Sequence, residues 1–467
     1  MIINNASIIT ASQSTSVDKY IQNGSIVIEG DKIESVQKDN RATVDDHEVI
    51  DADGMAAIPG LINGHNHFEQ SFMQSAVRLY DGDTAEWIQE FKIPLTEEMT
   101  RDDYYLSNKL ACLNLIQSGV TCSVNHICQQ DPEKLESFGI DQSVRAATEA
   151  GVRVVMPIGL AGKNEPAHYI VDNDRYEELL ETTYQKWHGS ANGKIRIWAG
   201  PTGFYSATEE MWKTASEFAT EATTGLHTHI ATFETGDIEK AKQEGVLDEN
   251  FVGAHCVWVD EQDIADIAES ECKIVHNPVY KLGYTVDSDV HAFGDGIAPI
   301  FDLCKSGCTV GLGQDGCMGN TQDLFKEMRM LALTQHHKYE RKDIFPPAKL
   351  LEMATIENAR AVSWENDIGS IEPGKKADIA LVNLDKPKFA SNANLPASIV
   401  YQASAADVST VIADGTVLMR DRQVQTIDEE ETLAEARDAI PELFHRAGLE
   451  EYLQRGVEPW DASLILS

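Results

Sequence analysis

The segment PGLINGHNHFEQ, residues 59–70, sets His65 and His67 one residue apart behind a run that reads as a buried strand. Side chains on a strand alternate faces, so the two imidazoles point the same way and can grip one small object. A metal ion is the candidate, and the rest of the chain must then supply further ligands, a water and a proton acceptor. LHTHI carries His227 and His229, which also share a face, and VGLGQDG carries Asp315. Three imidazole nitrogens and one carboxylate bind a divalent transition metal while leaving a position for water, whose pKa falls to about 7. The best set is His65, His67, one of His227 or His229, and Asp315. Strand parity does not choose between the two fifth-strand histidines.

These residues need a frame that brings them together. Residues 58–370 alternate short β-rich runs with helical stretches, and eight such runs stand out: AIPGLINGHNH, GVTCSVNH, VRVVMPIG, KIRIWAGP, GLHTHI, NFVGAHCVWV, CKIVHNP and CTVGLGQD. Eight strand-then-helix units predict an α/β fold, a closed parallel (β/α)8 TIM barrel, with catalytic groups at the carboxyl ends of the strands. His65, His67, His126, His227, His229, His255, His276 and Asp315 all fall at those ends. Residues 1–57 alternate apolar and polar positions in short pieces, which predicts a small antiparallel sheet. The same texture returns over 371–425, so one composite β-sandwich domain is expected from both regions, flanking the barrel. The segment 426–467 reads as a helical tail packed outside, with Pro441 near its middle and His445 on its surface.

Composition narrows the partners. The chain has 467 residues with 76 acidic and 38 basic side chains, a formal charge of −38, which disfavours nucleic acid and anionic membranes. The first residues, MIINNASIITASQSTS, offer no basic region and no long apolar stretch, so a cytoplasmic location is expected. Eight cysteines without a CxxC pair read as reduced thiols, with Cys304 and Cys308 as packing residues.

PGLINGHNH, LHTHI, GAHCVWVDEQDI, IVHNPVYKL, VGLGQDG and IGSIEPGKKADIALVNL resemble, in this order, the amidohydrolase superfamily, in particular its triazine hydrolases, adenosine-type deaminases and guanine deaminases. The likeness spans residues 1–425. It implies His65, His67, His229 and Asp315 as ligands of one divalent transition metal, zinc by default, with iron, manganese or nickel as alternatives. It gives Asp315 the proton of the attacking water and His255 a contact to that water or the developing oxyanion. It also implies substrate contacts from Trp87, Asn125, His126 and His276, leaves His227 to orient its neighbours, and suggests a homodimer. Trp87 and Tyr80 could stack on a planar ligand, or equally pack as part of a helix.

One position departs from the family. Deaminases place a glutamate three residues after the fifth-strand histidine, and here that residue is Thr232; HTHIATFETGD offers Glu234 instead. Glu234 serves as proton shuttle if two residues are inserted, because an extended segment keeps its facing at a period of two. Otherwise Asp315 and His255 carry the chemistry alone. The expected activity is hydrolysis of a C–N or C–Cl bond of a small nitrogen-rich ring, as a deaminase, aminohydrolase or chlorohydrolase of a purine, pyrimidine or triazine-like compound. An amide, urea or carbamate hydrolase is the alternative, and a metalloprotein that binds a small ligand without turnover is another.

Overall fold

The computed structural model describes residues 1–38, 48–76, 84–232, 235–283, 296–316, 322–391 and 393–454. Eight parallel strands, Leu61–Asn63, Val120–Val124, Arg153–Ile158, Ile195–Ala199, Leu226–Ile230, Phe251–His255, Lys273–His276 and Thr309–Leu312, pair in sequence order. They fall on the eight runs expected. The Gly64 amide donates to the Leu312 carbonyl at 2.9 Å and brings the eighth strand back to the first. Asn358 bridges that seam: its side-chain amide donates to the carbonyls of Ile62 and Leu312, and its oxygen accepts from the Leu312 amide.

Helices such as Arg101–Gln117, Asn173–Trp187, Glu209–Glu221 and Glu261–Ser270 follow individual strands. Thr100 and Asp260 start two of them with reciprocal caps, in which the cap side chain and the third helical residue satisfy each other's amides. The strands read as near-continuous apolar runs because both of their faces are covered; Arg153–Ile158 and Phe251–His255 are buried throughout.

A second sheet takes nine strands from both sides of the barrel, and Met55–Pro59 pairs antiparallel with Ile379–Asn383. Ile3, Ile8, Ile26 and Ile33 pack there with Ile379, Leu381 and Ile412. The early part of this sheet corrects the expectation of a purely antiparallel arrangement. Ile2–Ile9 is antiparallel to Tyr20–Glu29 but parallel to Val49–Asp51 and Met55–Pro59. Alternation of apolar and polar residues reports which face a side chain takes and is blind to strand direction.

The two sheets are tied by a buried guanidinium. Arg153, at the start of the third barrel strand, donates to Asp378 at 3.2 Å through both Nε and Nη2, and also bonds Asp414. The helix Glu429–Arg446 runs through Pro441, and the His445 side chain is 78% exposed. Among the described residues, no helix is long and apolar enough to cross a membrane.

Candidate active site

The first strand ends in Asn63, and the chain then turns through His65, Asn66 and His67, all buried. Gly313 makes this turn possible, since a Cβ there would lie 2.8 Å from the His65 nitrogen and 2.4 Å from Asn277 Oδ1. The His65 carbonyl accepts the amides of Gln314 and Asp315, which locks the first strand's exit to the eighth's. Asp315 and His255 both hold left-handed backbone, with φ of 61° and 83°. Such conformations cost non-glycine residues about 1–3 kcal/mol and persist where surrounding structure imposes them.

The ring nitrogens converge with a definite polarity. His67 Nδ1 lies 2.7 Å from the His126 carbonyl and His229 Nδ1 lies 2.6 Å from the Thr202 carbonyl. A carbonyl only accepts, so each Nδ1 carries a hydrogen, and in the neutral ring each Nε2 presents a lone pair. Those two lone pairs face each other at 3.3 Å. His67 Nε2 is also 3.2 Å from Asp315 Oδ1, and His65 Nε2 is 3.1 Å from the same oxygen. Lone pairs gathered around a carboxylate call for a cation between them. A proton on His67 can fill that place: although burial opposes charge on this ring, the Asp315 carboxylate and Cys128 draw its pKa up to about 10. Burial would raise Asp315, but its hydrogen bonds to His65 and His67 hold it well below the usual carboxylate range. A divalent metal fits this donor set, and two overlapping groups could ligate it: His65, His67, His126 and His229, and His65, His229, His255 and Asp315.

The residues around this centre take separate positions. His227 Nε2 lies 2.8 Å from His65 Nδ1 and so orients that ring. His255 Nε2 is 4.0 Å from Asp315 Oδ2, while its Nδ1 meets the Asn277 amide at 3.1 Å. A cleft of about 410 Å3, open to solvent, is lined by His67, His229, His255 and Asp315 at one end. Trp87, Ile88, Gln70, Gln129, Tyr205, Thr232 and Tyr280 line the rest.

Trp87 thus reaches the cleft while packing against Phe91. Asn125, His126 and His276 are not among the lining residues. Asn125 Oδ1 accepts the Phe68 amide, His126 Nε2 meets the Gly200 carbonyl, and His276 Nδ1 meets the His255 carbonyl. Glu234 and Tyr80 lie outside the described residues. Thr232 is buried in the cleft wall with its hydroxyl unbonded.

Sequence reasoning did not single out Gln70, Gln129 or the buried Lys92 behind it. Gln129 had one available signal, its place three residues beyond His126 at the end of the second strand. Lys92 had none.

Known proteins resemble this chain in sequence and in fold. The chain is 31% identical over 445 residues to a 5-methylthioadenosine/S-adenosylhomocysteine deaminase of Thermoanaerobacter pseudethanolicus, covering 91% of this chain and 96% of that protein. It is 30% identical over 460 residues to a 5′-deoxyadenosine deaminase of Methanosarcina acetivorans, covering 96% and 99%. Its fold matches a crystal structure of an atrazine chlorohydrolase from Arthrobacter aurescens complexed with zinc and atraton, with a TM-score of 0.84 at 22% identity over 94% of this chain and 100% of that one. An adenosine deaminase from Xanthomonas campestris with bound zinc gives 0.84 at 19% identity, over 95% and 98%. The model of the amidohydrolase family matches residues 56–418, and with its barrel, its converging histidines and Asp315, the chain belongs to that family.

Proposed function

We propose that this protein is a zinc-dependent aminohydrolase that deaminates an adenine nucleoside modified at its 5′ position, of the kind named for its deaminase relatives. The observation that carries the chemistry is the convergence of the Nε2 atoms of His65, His67 and His229 on the buried Asp315 carboxylate. A divalent ion held by those four side chains would supply a water acidic enough to ionise near neutral pH. The cleft runs from the metal-binding side chains to Trp87, which offers it a flat apolar surface.

Asp315 takes the proton of the attacking water and delivers it to the departing nitrogen. The water oxygen bonds to the ring carbon, the C–N bond breaks, and ammonia leaves with the transferred proton. His255, within 4.0 Å of Asp315, faces the oxygen that gains charge. Asp315 is the only carboxylate among the described lining residues, so Glu234 enters as the second proton carrier only if its segment folds back onto the cleft. We take Asp315 and His255 to suffice. The likeness to family members favours a homodimer, the free cysteines favour a reducing, cytoplasmic setting, and the sequence divides the chain at residues 58, 371 and 426.

The test is ammonia release from 5′-deoxyadenosine and 5′-methylthioadenosine by protein loaded with zinc, beside triazines, amides and ureas. Deamination of the nucleosides is expected. Zinc-loaded protein that releases ammonia only from open amides or ureas would overturn it. That second activity is favoured by one feature, the threonine at 232, because amide hydrolysis needs no protonation of a ring nitrogen.

A further inference from the structure

Beside the histidines, Gln129 and Tyr205 of the cleft lining belong to a chain of hydrogen bonds whose direction is set by its first member, Lys92. Lys92 is buried, at 1% exposure, and its ammonium donates to Gln129 Oε1 at 3.1 Å and to the Cys128 carbonyl at 3.4 Å. An ammonium can only donate, so the Gln129 carbonyl must face it and the amide NH2 must face away. That NH2 donates to the Tyr205 hydroxyl. The Tyr205 oxygen therefore receives a hydrogen, and its own hydrogen is left to point elsewhere.

The ring that carries this hydrogen is firmly seated. Tyr205 follows the fourth strand in the loop whose Thr202 carbonyl orients His229. Its main-chain carbonyl accepts from Asn164 at 2.6 Å. Gly203 lies under the ring, and a Cβ there would stand 3.0 Å from Tyr205 Cε1 and 3.1 Å from Cδ1. Any side chain at 203 would push the phenol off its place. Burial raises the phenol well above its usual pKa, so it keeps its proton. The Ser206 hydroxyl is near enough to favour the ionised form, yet its oxygen is buried without a hydrogen-bond partner, so it does not accept the phenolic hydrogen.

We propose that Tyr205 is a substrate-binding donor whose phenolic hydrogen, freed by the one-way relay from Lys92 through Gln129, binds an acceptor atom of the nucleoside other than its reacting centre. Lys92 and Gln129 are positioning residues that act through it. The choice of a nucleoside rests on the deaminase function proposed above; the donor character of Tyr205 does not.

Steady-state kinetics on 5′-deoxyadenosine, with calorimetric binding of the same nucleoside, test this in zinc-loaded protein. Tyr205→Phe is expected to raise KM, and Kd with it, about three- to tenfold, the worth of one neutral hydrogen bond, with kcat within about threefold. Lys92→Met and Gln129→Leu should shift KM in the same direction. Lys92→Met should add nothing on top of Tyr205→Phe, since residues acting through one contact are not additive. Zinc content and thermal midpoint report whether each variant folds, and Gln129→Leu serves if Lys92→Met does not. Turnover with an unchanged KM in Tyr205→Phe, or additive effects of Lys92→Met and Tyr205→Phe, would overturn the proposal and leave the deaminase function standing. Binding without turnover, weakened by Tyr205→Phe, would do the reverse. A nucleoside that neither binds nor reacts overturns both.

Discussion

The two ends of the cleft are built by different means. At the metal end, the imidazoles of His67, His229, His126 and His276 each lean on a main-chain carbonyl, those of His126, Thr202, Gly200 and His255. At the other end, side chains hold side chains, as Lys92, Gln129 and Tyr205 do. Main-chain supports survive almost any substitution of the residue that supplies them. Side-chain supports are lost with one change. The difference teaches that the reaction type is anchored in the fold, while the choice of substrate rests on a few exchangeable side chains.

The largest effect should come from striking the metal end directly. Asp315→Ala removes a ligand and the proton carrier together, and kcat should fall about 1,000-fold or more, with zinc content measured alongside the rate. Retained turnover would remove the basis of the proposed mechanism. Far from both ends, Arg153→Met leaves the buried Asp378 without its guanidinium, while Asp414 keeps Lys194 and Lys376, and denaturant unfolding should show a loss of about 3–5 kcal/mol with kcat unchanged in the folded fraction. A change in kcat there would mean that the clamp between the sheets also shapes the cleft.

His227, like Asn277 on His255, supports the metal end through a side chain, so it should behave like the wall. His227→Ala should weaken zinc binding about 10- to 100-fold in competition with a chelator, and His227→Gln, which keeps an acceptor, should recover part of it. The smallest effect is expected at Thr232. Thr232→Val deletes a buried hydroxyl that has no partner, so kcat/KM should stay within about tenfold and stability should hold or rise slightly. A loss of about a hundredfold would make Thr232 a proton carrier.

Much of this was legible in the sequence. The eight strands could be read because each is a short apolar run, six of them leading into a histidine or Asp315 as LHTHI and GAHC do, and a barrel gathers such ends on one rim. Strand parity put His65 beside His67 and left His227 and His229 tied. The structure separates that pair, with His227 on His65 and His229 against His67. What escaped was contact made by loop geometry. Lys92 closes the helical stretch Ile88–Lys92 and Gln129 lies 37 residues on, in the loop after the second barrel strand, so no periodicity links them. Asn358 escaped for the same reason: a side chain that closes a barrel seam looks in sequence like any polar residue on a helix. The direction of the strands around Val49–Asp51 was equally hidden, because parallel and antiparallel neighbours share one alternation.

The antiparallel pairing of Met55–Pro59 with Ile379–Asn383 has a consequence for biosynthesis. During translation the early strands emerge first and find no partner for that edge until some 320 residues later, roughly 20 to 60 s at ordinary elongation rates. For that interval an apolar strand edge is open to the wrong neighbours, including another nascent copy. The ribosome's pace, and any chaperone that shields the edge, would then govern the yield of native protein more than the strength of the finished barrel.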